Sequence, residues 1–288
     1  KLLIGNGKIV GIREELELES EFIRRTAPEN EEVDGGVILK RIDPGSVFLG
    51  ASRSERGQRA NEIQRHVQLV RPFYFGISEI SRDEFKRFDP SVSGGTHPIT
   101  NIDWQRAARY CNYLSKKSNL QEFYRESRGE IVGFNDRSLG YRLPTEAEWE
   151  YVARAYQKRK QSVFVWGNDY KVSLPVSGNI ADKNAVGKAR FAITELDDGY
   201  AGVAPTRFSL QIGGIYDLSG NVSEWVHDFY ALEIPKDGRH RDDYMGPPRG
   251  SQHMIKGSNY LSASWTELRA SYREALDSGR EEVGFRVA

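Results

Sequence analysis

The stretch Gly213 to Tyr230, GGIYDLSGNVSEWVHDFY, constrains this chain more than any other. It sets Ile215, Tyr216, Leu218, Val222, Trp225, Val226 and Phe229 around two acids, Asp217 and Glu224, and a Gly220-Asn221 turn. Apolar and aromatic side chains at that density belong in a core, and Gly-Asn reverses a chain, so the stretch predicts a buried strand pair pinned by a turn. Its oxygens admit a further reading. Calcium takes carboxylate and carbonyl oxygens from tight, Gly-containing loops, and Asp217, the carbonyls near Gly220 and Val222, and Glu224 could converge on one ion. The plain alternative is a hairpin whose acids face solvent.

With 288 residues, 38% of them hydrophobic, the chain can bury a sizeable core. Its 41 basic residues balance 41 acidic ones, so charge gives no reason to expect nucleic acid or an anionic membrane as partner. The single cysteine, Cys111, excludes an intramolecular disulfide, an all-cysteine metal site and any chemistry that needs two sulfurs. No run approaches the roughly 18 apolar residues of a membrane span. The first residues, from Lys1, lack a signal-peptide core, and the compartment is not legible from them.

Residues 1–36 read as an accessory unit: KLLIGNGKIVGI predicts a hairpin around Gly-Asn-Gly, and the charged stretch after it predicts a linker or a solvated arm docked on the rest. A main domain then spans 37–288. Strands are expected at Val37–Leu39, Val47–Gly50, His66–Val70 and Pro72–Ile77. Ser81 to Glu84 has the form of a capping box opening a short helix. A long helix is expected over Gln105–Lys117 with Cys111 on its buried face, as a small core residue rather than a nucleophile. Thr145 caps a second helix, whose acidic first turn suits the helix dipole. From Gln157 to Leu210 little periodicity remains, which predicts a long ordered loop needing a ligand or metal to hold it. The five histidines, His66, His97, His227, His240 and His253, form no sequence-adjacent metal pair.

In this order the pieces resemble the formylglycine-generating enzyme (sulfatase-modifying factor) family. The resemblance rests on Pro44-Gly45-Ser46-Val47-Phe48, Asn61-Glu62, Pro72-Phe73-Tyr74-Phe75, Pro98 to Trp104, Tyr141 to Glu150, the opening stretch and Gly284-Phe285-Arg286-Val287. It implies an α+β, loop-rich variant of the C-type lectin fold, with short antiparallel sheets and two main helices. It also implies two calcium sites, one on Asp217, Gly220, Val222 and Glu224, the other on Asn179, Ile180, Asp198 and Tyr200, and an extracytoplasmic or cell-surface location. Catalytic members use a copper-holding cysteine pair shortly before Gly-Phe-Arg. Here those positions fall on Ser262 and Glu267, or on Tyr260 and Trp265 in another register, so no copper is expected and formylglycine synthesis by the family mechanism is excluded.

Two functions remain open. The first is a ligand-binding module for a protein or glycan, displaying Asn259, Tyr260, Ser262, Ser264, Trp265, Thr266, Glu267, Ser271 and Tyr272, since large aromatic anchors with short polar partners suit adaptable recognition. The resemblance adds that one subgroup comprises variable proteins of diversity-generating retroelements, diversified in this segment. The second is a cysteine-independent enzyme, as in members linked to siderophore maturation, with Glu267 beside Trp265 and Arg269 as an acid or base. Against it stands a solvated Glu267 paired with Arg269 or Arg273.

Overall fold

The computed structural model describes residues 29–33, 36–232 and 241–288, together with strands β1 (Ile4–Gly5) and β2 (Lys8–Ile9), which pair antiparallel as the sequence predicts. Most of the charged stretch after them, and His240, lie outside the described residues. Strands β3 (Asn30–Val33), β4 (Val37–Ile42), β5 (Gly45–Leu49), β6 (Arg65–Leu69) and β7 (Phe73–Gly76) follow, then helices α1 (Arg82–Lys86) and α2 (Trp104–Lys117). Next come β8 (Tyr124–Ser127), β9 (Glu130–Phe134), α3 (Glu146–Arg154), β10 (Leu210–Ile212), β11 (Ile215–Tyr216), β12 (Ser223–Phe229), β13 (Arg241–Asp242), β14 (His253–Lys256), α4 (Trp265–Leu268), β15 (Arg273–Leu276) and β16 (Val283–Phe285). The result is α+β, with short sheets and two main helices.

Local signals account for the helices. Ser81 and Thr145 each cap a helix while the glutamate three residues on reaches back to the cap's amide, Glu84 in α1 and Glu148 in α3. Asp103 accepts from the Arg106 amide at the start of α2, whose buried face carries Ala107, Ala108, Cys111 and Leu114. Asn30–Val33, part of the charged arm in the sequence, is a strand paired with β4.

The opening stretch folds differently from its expectation. Its strands do not pair with each other. Ile215–Tyr216 turns back through Gly213 and Gly214 onto Leu210–Ile212, whereas β12 is central in a sheet ordered β15-β14-β12-β16, antiparallel to β14 and parallel to β16. The reason is burial on both faces. Ser223 through Asp228 are all buried, so β12 needs a partner at each edge and a layer above and below. Trp225 packs into one core with Trp104, Tyr110 and Phe285, and Val226 into the other with Trp149, Val152 and Ile215. The Trp225 indole donates to the Ile102 carbonyl at 3.0 Å and the Trp104 indole to the Val226 carbonyl at 2.8 Å, so each buried N–H is satisfied across the layer.

Residues 157–209 contain a short 3-10 turn, Lys183–Ala185, and are otherwise without helix or named strand. A satellite core holds them: Phe164, Ile180 and Leu268, flanked by Trp166, Tyr170, Ile193 and Leu196. Leu268 belongs to α4, so the long loop and the C-terminal segment share one apolar cluster. No described helix is long and apolar enough to cross a membrane.

Candidate functional site

The segment between β14 and β15 is anchored residue by residue. The Ser258 hydroxyl accepts the Gly220 amide at 2.9 Å, and the Asn259 side chain donates to Ser223 Oγ at 2.9 Å while its Oδ1 accepts the Leu261 amide. These bonds tie the segment to the opening stretch. Ser264 caps α4 in a third capping box, its hydroxyl donating to Glu267 Oε2 at 2.7 Å. Glu267 is therefore bonded to Ser264, not paired with Arg269 or Arg273, and its carboxylate is spent on ordering the turn.

Arg269 is fully buried and lies at the hub of an ion cluster. Its guanidinium donates to both oxygens of Glu62, at 2.6 and 2.7 Å, to Glu55 at 3.0 Å, to the Gly57 carbonyl at 2.6 Å and to the Ser271 hydroxyl at 2.9 Å. Arg273 bonds to Glu146, itself held by Arg65. Arg269 and Arg273 thus hold the segment in place by pairing with acids and carbonyls.

Exposure sorts the displayed set. Trp265 is 37% exposed, with Tyr170 edge-on at 5.6 Å, and Asn259, Tyr260, Ser264, Thr266, Glu267 and Tyr272 are half-buried. Ser262 and Ser271 are corrections: both are buried, because the Ser262 hydroxyl accepts the Asn259 amide and Ser271 completes the Arg269 cluster. Arg56 and Arg59, on the loop between β5 and β6, belong here too. Arg56 lies 3.6 Å over the Trp265 ring and Arg59 5.2 Å over that of Tyr272. The regular spacing of Arg53, Arg56 and Arg59 was the available signal.

The two oxygen sets differ in how they suit a cation. Around Asn179, its Oδ1 is buried without a hydrogen-bond partner, and burial, with Asp182 alongside, pushes the Asp198 carboxyl up to about 6. Asp198 accepts the Ile180 and Tyr200 amides at 3.1 and 2.9 Å, which draws all four residues of the set together. An unpartnered oxygen beside a desolvated carboxylate fits a hard cation. In the other set, Asp217 and Glu224 are buried, which removes the solvent-facing alternative. Asp217 accepts the Ser209 and Phe208 amides, and the left-handed backbone at Gly220 and Asn221 carries the chain towards Val222. Glu224 receives the Arg286 guanidinium at 2.6 and 2.7 Å and the Trp149 indole at 2.9 Å. Donors already engage both carboxylates, so this set fits an ion less well.

A cavity of about 870 Å³ lies elsewhere, between the start of α2, β9, the loop after β13 and the floor of β12 and β14. Strand pairing brings His227 and His253 into its lining, a proximity their spacing did not reveal. Burial lowers their pKa values to about 3 and about 4, so both imidazoles are neutral.

Among known proteins, the sulfatase-modifying factor enzyme 1-like domain matches residues 25–288. The chain is 27% identical to the formylglycine-generating enzyme of Bos taurus over 198 residues, 67% of this chain but only 44% of that protein. It is 24% identical over 293 residues to the inactive C-alpha-formylglycine-generating enzyme 2 of Mus musculus, covering 85% of this chain and 83% of the relative. In fold it is similar to Treponema denticola variable protein 1, with a TM-score of 0.64, 20% identity, and 90% and 97% of the two chains covered.

Proposed function

The chain belongs to the sulfatase-modifying factor enzyme 1-like domain family, and from that premise we propose that it is a non-catalytic recognition module that presents the segment 259–272 to a protein or glycan ligand. The observation that carries this reading is the exposed Trp265 on a turn whose neighbours Leu268, Arg269, Ala270 and Ser271 are buried. A large aromatic ring partly open to solvent on a rigid base is the arrangement of a binding anchor. The absence of any cysteine from the segment supports a non-catalytic role, since Cys111, the one sulfhydryl, is fully buried on α2. The similarity to a variable protein supports the same reading, and a retroelement-diversified protein at an extracytoplasmic or cell-surface location belongs to it.

Calcium enters as a scaffold ion. Asn179, Ile180, Asp198 and Tyr200 would hold it; once bound it would neutralise the Asp198 carboxylate and fix the long loop beneath α4. At the second set, the Arg286 guanidinium already supplies positive charge to Glu224.

A cysteine-independent enzyme is the second reading, favoured by the cavity at His227 and His253. The capping box engages Glu267 Oε2, which favours a structural role for Glu267 over that of an acid or base. The test of recognition is a glycan array and a displayed-protein panel probed with the wild type and with a combined Tyr260→Ala and Trp265→Ala variant. Binding lost in the variant, with a melting temperature within a few degrees of wild type, is the expected result. Hits bound equally by both proteins would remove the segment from consideration.

A further inference from the structure

The loop between β5 and β6 carries Arg53, Arg56 and Arg59, all exposed. Its position is set from below. Buried Arg269 donates to Glu55, to the Gly57 carbonyl and to Glu62, so three points of the loop are held by one side chain. Gly57 packs so closely on α4 that a Cβ there would lie 3.3 Å from the Thr266 Cα. The loop thus delivers Arg56 onto Trp265 and Arg59 onto Tyr272.

A guanidinium lying over an aromatic ring uses its face there and leaves its in-plane N–H fork for an oxyanion. Nearby carboxylates do not meet that demand. Glu55 and Glu62 are committed to Arg269, Glu267 to Ser264, and Glu274 to the Tyr272 hydroxyl and Arg280. Among the described residues, none of the three loop arginines has a carboxylate partner. The face is nevertheless not uniformly basic: Glu281 is exposed beyond it, and Glu281 and Glu282 both act on the Tyr260 hydroxyl. Mixed charge disfavours a dense polyanion and suits a chain bearing discrete carboxylates.

We infer that the ligand of this face is an acidic polypeptide segment, whose Asp or Glu carboxylates take the forks of Arg56 and Arg59 while its apolar side chains pack on Trp265 and Tyr272. This rests on the recognition reading. The test is panning of a phage-displayed random-peptide library on the full chain, with Arg56→Gln/Arg59→Gln and Trp265→Ala variants as counter-selections and melting curves as the control for folding. The expected outcome is enrichment of Asp- and Glu-rich peptides, with affinity for a synthetic copy falling about tenfold or more in the double glutamine variant and weakening with salt. Lysine at both positions should restore only part of the affinity, because it lacks the fork. Enriched peptides without acids that need Trp265 but ignore Arg56→Gln/Arg59→Gln would overturn this inference and leave the recognition reading standing. No Trp265-dependent enrichment would sink both, and arginine-dependent binding of heparin in place of any acidic peptide would overturn the polypeptide class.

Discussion

Arg286 shows what a single side chain carries here. Its guanidinium donates to Glu224 and to the carbonyls of Gly76 and Tyr216, and stacks 5.3 Å over Phe75, with no access to solvent. Removing one member of a buried pair strands the other's charge, so Arg286→Ala should cost about 3–5 kcal/mol and lower the melting temperature by roughly ten degrees. An unchanged thermal unfolding curve would mean that Glu224 finds another cation. Asp228 makes a pH-dependent contribution. Burial, then neighbouring Glu146, pushes its carboxyl up to about 7, above an ordinary aspartate. The native chain holds that proton more tightly than the unfolded one, so the contribution is full below about pH 4 and is lost as pH rises towards 7. His227, lowered to about 3 by burial, works in the opposite sense: its contribution is present above about 6.5 and is lost as pH falls. The two offset each other between pH 4 and 6.5. Asp228→Asn removes one side of the balance, so its melting temperature should fall more steeply on acidification than that of the wild type. Parallel profiles would show that Asp228 titrates as an ordinary carboxylate.

Among the elements, legibility followed range. The Ser81 box, the Thr145 cap and the buried stripe of α2 could be read because each is decided within one or two turns of chain. The residues of β12 were equally legible as core, but its neighbours were not. Strands β14 and β16 arrive some thirty and sixty residues later, and only burial of both faces of β12 selects them over β11. At the candidate site the aromatic content of 259–272 was visible, whereas the inward turn of Ser262 and Ser271 depends on hydrogen bonds to Asn259 and the Arg269 cluster. Arg56 and Arg59 lay furthest from inference, since their rings come from chain about two hundred residues away.

For the whole molecule, the long loop is where stability remains open to a ligand. Calcium bound only by the native chain would stabilise it by about 2.7 kcal/mol at a hundred times its Kd. Chelation should therefore lower the melting temperature, added calcium should restore it, and Asp198→Asn should abolish the shift. A melting curve indifferent to chelator would leave the apolar cluster of Phe164, Ile180 and Leu268, with the hydrogen bonds from Asn179 and Ala181, to hold the loop. That cluster and the Arg269 hub share one consequence. The segment interleaves residues that face inward, Ser262, Leu268, Arg269, Ala270 and Ser271, with others that reach solvent, Tyr260, Trp265, Thr266 and Tyr272. Folding information and surface chemistry are written on different letters of the same short text, so, on the recognition reading, a lineage could rewrite what this protein meets without rewriting what it is.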